Sequence, residues 1–232
     1  MSERSSSARS AARGVTVVVD VALFTSRGSE LAVLLLPVTD PGRRPRERWA
    51  LPSVVLRRDE SPDAAAARAS GTALEVDPAL VEQAGARSAG NPVSDAAGVA
   101  ITYFGLVPVA DVAMHQSAVW ATLAELPLLD QRQRDSINAA LAAMRARVDD
   151  SPIAFRLLPP AFTLSELQTV YEMLLGRRLH KASFRRSLHA SSLVEATDEW
   201  RSEGRGRPAQ LFRYAPRRKK RPRRGVRFDL LA

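Results

Sequence analysis

Lys181, Ser183, Arg185 and Arg186 fall within one short stretch and carry the donors that meet phosphate oxygens and base edges on a duplex. Phe184 and Leu188 recur four apart among them, the spacing of a single helix face. The run His180–Ser191 therefore reads as a basic helix with apolar anchors behind and donors ahead, as a groove-entering helix needs. Further along, Gly204-Arg205-Gly206-Arg207-Pro208 sets two more guanidinium groups on a glycine-rich tip. Glycines let such a tip approach a duplex closely, and Arg205 and Arg207 can reach phosphates or a narrow minor groove. The same tip also fits a flexible, solvated loop.

The neighbouring residues position these groups. Thr163-Leu164-Ser165-Glu166 fits a capping box that opens a helix. Leu164, Leu167, Val170, Tyr171, Leu174 and Leu175 line one face of it, and Gly176 supplies the stop. The turn Gly176-Arg177-Arg178-Leu179 leads to the basic helix. Two strand candidates, Leu193–Thr197 and Leu211–Tyr214, flank the tip. Helix, turn, helix and hairpin together predict a winged helix-turn-helix.

Charge separates this region from the rest of the chain. Residues 151–232 hold 18 Lys and Arg against 7 Asp and Glu, a balance of +11, whereas residues 1–150 carry −2. A near-neutral front joined to a strongly basic back is the electrostatic footprint of a nucleic-acid module attached to something else. The 232 residues, 45% of them hydrophobic, suffice for two cores. No run of ~18 apolar residues predicts a membrane span. Met1–Arg13 is Ser- and Arg-rich and reads as a disordered tail, not a signal peptide. The absence of cysteine excludes disulfides and thiolate metal sites, and a cytoplasmic protein is the simplest expectation. His115, His180 and His189 lack the spacing of a metal site or a catalytic triad.

In the front half, Val15–Phe24 and Leu31–Leu36 read as central strands across a turn at Thr25–Ser29, and Pro37–Arg48 as a loop. Trp49-Ala50-Leu51-Pro52 leads into a short strand at Val54-Val55-Leu56. Ser61-Pro62 opens an alanine-rich helix expected to run to Leu74. Val81–Ala89, Gly98–Val107 and Val119-Trp120 supply further strands. Asp130 caps a long helix with Ile137, Leu141, Met144 and Val148 on one face. A mixed sheet between two helices predicts an α/β sandwich, with a hinge at Asp149-Asp150-Ser151-Pro152. The expected division is residues 1–13 as a tail, 14–149 as the sandwich, 150–216 as the winged helix and 217–232 as a basic tail. Arg217–Arg224 in that last segment either adds sequence-independent phosphate affinity or merely solubilises the chain end.

The passage from Trp49 to Val76 resembles a Nudix box, with Leu51-Pro52 anchoring the register. Glu60 then matches the first glutamate of the pattern and Arg68 its arginine. Val54 stands for the leading glycine, Ala69 for the next glutamate, Thr72 and Ala73 for the two metal-binding glutamates, and Glu75 for the final glycine. Clustered carboxylates are what Mg2+ requires, so the resemblance implies a Nudix-like domain without hydrolase activity, metal or cofactor. Four phrases carry a wider resemblance: Ser151-Pro152-Ile153-Ala154-Phe155, Phe162–Gln168, Phe184-Arg185-Arg186 and Gly206-Arg207-Pro208-Ala209. With the domain order, they make the chain similar to the Nudix-related transcriptional regulators of bacterial NAD metabolism, from about Val15 to Tyr214.

That resemblance implies a Nudix-like α/β/α sandwich followed by a winged helix-turn-helix. It further implies a homodimeric repressor of NAD biosynthesis or salvage genes that binds double-stranded DNA at a palindromic operator. ADP-ribose or a related nucleotide, bound in the front domain, would release it. For that ligand, Arg48, Arg57 and Arg68 can neutralise phosphates or remain solvated, and Trp49 can stack on a base or fill the core. Glu60 is a further pocket candidate or a helix-terminus charge. Ser53-Val54 departs from the Gly-Gly of many members. Alternatives are the same architecture serving another pathway such as sugar utilisation, and a residual Nudix hydrolase. RNA binding is disfavoured because no aromatic stacking platform accompanies the basic residues.

Overall fold

The computed structural model describes residues 15–38, 48–75, 77–90, 97–108, 117–202 and 208–215. Its first part is a mixed sheet. β1 (Thr16–Arg27) lies at the centre, antiparallel to β2 (Glu30–Pro37) on one side and parallel to β6 (Ala97–Leu106) on the other. β5 (Leu80–Gly90) flanks β6, β3 (Trp49–Ala50) and β7 (Val119–Thr122) pair with β2, and β4 (Ser53–Val55) pairs with β1. Two helices cover the faces: α1 (Pro62–Gly71) and α2 (Gln131–Val148).

β1 shows why both faces are filled. Strand side chains alternate between faces, and here both sets are apolar. Val19, Val21 and Leu23 pack with Ala65, Ala66 and Ala69 of α1. Ala22 and Phe24 pack with Ile137, Ala140 and Met144 of α2. The result is the expected α/β/α sandwich. Small alanines let α1 lie close to the sheet, and its start is the expected one: the Ser61 hydroxyl accepts from the Ala64 amide, with Pro62 next.

Several boundaries differ from expectation. β1 continues through Thr25, Ser26 and Arg27, because the Thr25 hydroxyl donates to the Val107 carbonyl and the Arg27 guanidinium to the Trp120 carbonyl. Only Gly28 and Ser29 form the turn, Gly28 at φ 60°. α1 stops at Gly71, three residues before the expected Leu74; Ala73 and Leu74 leave the helix but stay buried. Asp149–Pro152 connects the halves as a hydrogen-bonded turn, with the Asp150 and Ser151 amides both donating to the Arg147 carbonyl.

The second part begins at a 3-10 turn, Ile153–Leu157, followed by α3 (Leu164–Leu175), α4 (Lys181–Ser191), β8 (Val194–Arg201) and β9 (Ala209–Tyr214). The capping box is complete. The Thr163 hydroxyl accepts from the Glu166 amide at 3.1 Å, and the Glu166 carboxylate accepts from the Thr163 amide at 2.6 Å. Gly176 ends α3 at φ 68°, where a side chain would be strained. A paired bridge between Phe162 and Phe212 ties the hairpin back to the start of α3. Phe155 sits at the centre of the aromatic core, its ring centroid 4.6 Å from Tyr214 and 5.7 Å from Phe162. This is the predicted winged helix-turn-helix.

The two parts share one apolar cluster. Phe24, Leu31, Met144 and Val148 belong to the same buried group as Phe155, Leu157, Tyr171 and Leu174. On α2 the packing is anchored by a buried charge: Asp20 of β1, fully buried, accepts from the Arg132 guanidinium at 2.7 and 2.8 Å and from the Ser136 hydroxyl at 2.8 Å. The Ser53 hydroxyl of β4 also donates to it.

Removing one partner of such a group leaves the others uncompensated in the interior. Asp20→Ala is expected to lower unfolding free energy by about 3–5 kcal/mol in urea titrations, and Arg132→Met added to it to recover part of that loss. Equal stability of wild type and Asp20→Ala would show the network to be dispensable.

Candidate functional site

The arrangement of α4 follows from two anchors. Phe184 and Leu188 are fully buried, so the helix is held by one face. Lys181, Arg185 and Arg186 are exposed on the rest of it, and among the described residues no carboxylate pairs with them. Ser183 is half-buried, its hydroxyl 3.4 Å from the His180 imidazole at the helix start. The four predicted residues thus share one helix, three of them as free-standing donors and one at the edge of the packed face. Arg205 and Arg207 lie outside the described residues.

The hairpin beside α4 has a defined base. Arg201 turns inward, donating to the Glu166 carboxylate at 2.7 Å and to the Ala161 carbonyl at 3.2 Å, which fastens β8 to the capped end of α3. Its neighbour Trp200 points the other way and is 58% exposed, next to a shift in the β8–β9 register. Irregularities of this kind re-aim side chains.

Between the helices, Glu172 organises the turn. Its carboxylate accepts from the Leu179 amide at 2.9 Å, the Gln168 amide group at 2.9 Å and Arg178 at 3.2 Å. Burial pushes its pKa up, but the Leu179 amide, Gln168 and Arg178 together outweigh that and hold it below the ordinary carboxylate range. The start of α4 is therefore set by contacts from α3 itself.

At the other candidate site, Arg68 and Glu60 form a two-pronged pair. Arg68 Nε lies 2.8 Å and a terminal nitrogen 2.7 Å from the two Glu60 oxygens, while the same nitrogen donates to the Val55 carbonyl. The Arg57 amide adds a further bond to Glu60. Hydrogen bonding to Arg68 lowers the Glu60 pKa to about 2. An open cleft of about 600 Å³ lies beside this pair, lined by Arg57, Arg58, Asp59, Glu60, Ser61 and Ala64. The guanidinium of Arg57 is exposed. Trp49 sits elsewhere: half-buried on β3, it packs against the core on the α2 face, so it does not join Glu60 and Arg68 on the α1 side. Arg48, also at the β3 edge, is exposed and accepts from the Val38 amide through its carbonyl.

Other polar groups escaped the sequence reading. Arg87 of β5 donates at 2.6 Å to both the Arg132 carbonyl and the Ser136 hydroxyl, and lies 3.5 Å from the Thr102 hydroxyl, extending the Asp20 network across the sheet. The one available signal was Asp20 as the lone charge within the expected strand Val15–Phe24. Trp200 and Arg201 had none, because Arg201 owes its role to Glu166, distant in sequence, and Trp200 to its exposure.

The Glu60 pair implies a pH dependence. With its folded pKa depressed, Glu60 stays charged after the unfolded chain has bound a proton, so its stabilisation is present above the ordinary value of 4.5 and is lost as pH falls toward about 2. Arg68→Met should flatten the stability–pH curve across that window relative to wild type, as measured by denaturant unfolding at stepped pH.

Comparison with known proteins agrees with this geometry. Residues 154–214 match the family described as the NrtR DNA-binding winged helix domain. The ADPR responsive transcriptional repressor NtrR of Acinetobacter baylyi is 32% identical over 209 residues, spanning 86% of this chain and 82% of that protein. The crystal structure of Shewanella oneidensis NrtR superposes with a TM-score of 0.73 at 27% identity, over 91% of this chain and 98% of that one. The same protein complexed with a 27mer DNA gives 0.70 at 28%, with the same coverage. A MutT/nudix family protein from Enterococcus faecalis shares the fold alone, at a TM-score of 0.66 and 17% identity over 87% of each chain. The sandwich joined to a winged helix, the uncommitted cations of α4 and a 32% identical relative along most of the chain lead to one assignment: this chain belongs to the NrtR family of Nudix-related transcriptional regulators.

Proposed function

We propose that the protein is a transcriptional repressor that binds double-stranded DNA through its winged helix and is released by ADP-ribose or a related nucleotide held in the Nudix-like half. The observation that carries this is α4: Lys181, Arg185 and Arg186 are exposed and unpaired among the described residues, on a helix seated by Phe184 and Leu188. A relative described as ADPR responsive supports the effector, and a relative crystallised with a 27mer duplex supports the DNA. In this reading two copies pair and set their α4 helices about one helical turn apart on a palindromic operator. The regulated genes are those of NAD biosynthesis or salvage. Arg205 and Arg207 contact the duplex from the wing, and Arg57, Glu60 and Arg68 serve the nucleotide; Trp49 packs on the α2 face of the sheet with Arg48 beside it at β3, so neither is assigned to that cleft.

The residues at the Nudix box do not fit a divalent cation. Both oxygens of Glu60 are engaged by Arg68, the Thr72 hydroxyl donates to the Ala69 carbonyl at 2.7 Å, and Ala73 is buried and apolar. Mg2+ needs clustered oxygen ligands, so the domain binds its nucleotide without hydrolysing it. Arg57 and Arg58, exposed at the cleft and with no carboxylate hydrogen-bonded to either guanidinium among the described residues, are the cations suited to a phosphate; Arg68 is already committed to Glu60 and keeps the cleft wall in place.

Arg186→Ala is expected to weaken operator binding by about 1–3 kcal/mol, if it reads a base, or to reduce the salt slope by about 1 if it meets a phosphate. Gel-shift titrations at two or more salt concentrations separate these, and unchanged affinity in both Arg186→Ala and Arg207→Ala would remove the contact set. ADP-ribose titrated into the protein–operator complex should free the DNA, with the affinity falling roughly 5- to 150-fold for an ordinary coupling. Incubation of ADP-ribose with the protein and Mg2+ should leave the nucleotide intact by chromatography.

A further inference from the structure

α3 ends against α2. The Arg145 side chain of α2 donates from Nε to the Leu174 carbonyl at 3.1 Å, and its guanidinium lies across Gly176, where an added Cβ would come within 3.0 Å of it. The last carbonyls of a helix lack intrahelical partners and carry partial negative charge, so a cation donating there both satisfies a bond and complements the dipole. Among the described residues Arg145 has no carboxylate partner that would compete for it. The carbonyl it holds lies two residues before Gly176, at the end of α3 that leads into the Gly176–Leu179 turn, and that turn fixes where α4 begins.

We infer that Arg145, a residue of the Nudix-like half, is a positioning residue for DNA reading: it fixes the end of α3 and thereby the placement of α4 on the duplex. The inference rests on α4 being the helix that reads DNA. It adds a point at which the first half acts on the second. α2 is a single uninterrupted helix whose opening turns are fixed to the sheet, Arg132 and Ser136 to Asp20 and Gln133 to the Leu51 amide at 2.7 Å. Arg145 stands about 20 Å further along the same rod.

A positioning role and a merely stabilising one predict different losses. If Arg145 only stabilises the fold, its removal lowers the folded fraction and weakens binding to every duplex alike. If it positions α4, sequence-selective binding falls while sequence-independent binding, which depends on backbone charge, is nearly kept.

The test uses the full chain and two probes: the duplex that wild-type protein enriches from a randomised pool, and a mixed-sequence duplex of the same length. Arg145→Met, which keeps the aliphatic stem, should bind the enriched duplex about tenfold more weakly and the mixed duplex within about twofold of wild type. Arg145→Lys, which retains a donor and a charge, should recover most of the difference. Thermal midpoints taken in parallel report the fold. Equal losses on both duplexes, or no loss on either, overturn the inference while leaving wild-type selectivity intact. Wild-type protein that enriches no sequence overturns the DNA reading and this inference with it.

Discussion

A single buried carboxylate holds the architecture in register. Asp20 has no access to solvent, and an ion left bare in that environment would be prohibitively costly. It is tolerated because Arg132, Ser136 and Ser53 converge on it from α2 and β4. Apolar packing alone would allow α2 to slide along the sheet, since hydrophobic burial has no direction. Hydrogen bonds to a fixed carboxylate do not. Asp20 thus sets where α2 lies, and α2 is the element against which the second half is built.

The winged part depends on that placement. Its apolar cluster is continuous with the face of the sheet covered by α2, so Phe155, Tyr171 and Leu174 are packed on residues of the first half as well as on one another. Local devices then shape the reader from within: a complete capping box at Thr163, the Glu172 carboxylate across the turn, and Arg201 latching the hairpin to Glu166. Each of these consumes charges that would otherwise face the solvent. Lys181, Arg185 and Arg186 are what remains uncommitted on α4, which is why they are the groups available to a polyanion.

The Nudix-like half shows the converse. Arg68 and Glu60 satisfy each other, and the positions where the family pattern has metal-binding carboxylates hold a hydroxyl turned onto its own helix and a buried methyl. The cleft beside them is lined by two exposed arginines, Arg57 and Arg58.

Much of this was legible in one dimension, because the forces concerned act over a turn of helix or a strand. The Thr163–Glu166 box, the Gly176 stop, the Ser61-Pro62 opening and the spacing of Phe184 and Leu188 are local hydrogen-bonding and periodicity effects, and each appears where the residue pattern puts it. The alternation along β1 likewise follows from the geometry of an extended chain. Strand ends were misjudged where a distant group decided them, as at Thr25, whose hydroxyl is taken by the Val107 carbonyl. Trp49 and Arg68 were both candidates for one nucleotide pocket, yet the sheet puts them on opposite layers. Asp20 and Arg145 were passed over, since a charge acquires its role from whatever lies opposite it. Sequence alone determined the two halves, their order and the exposed cations of the reading helix. Only the tertiary structure decided which charges are spent on one another, because electrostatic pairing depends on distance through space and the chain records only distance along itself.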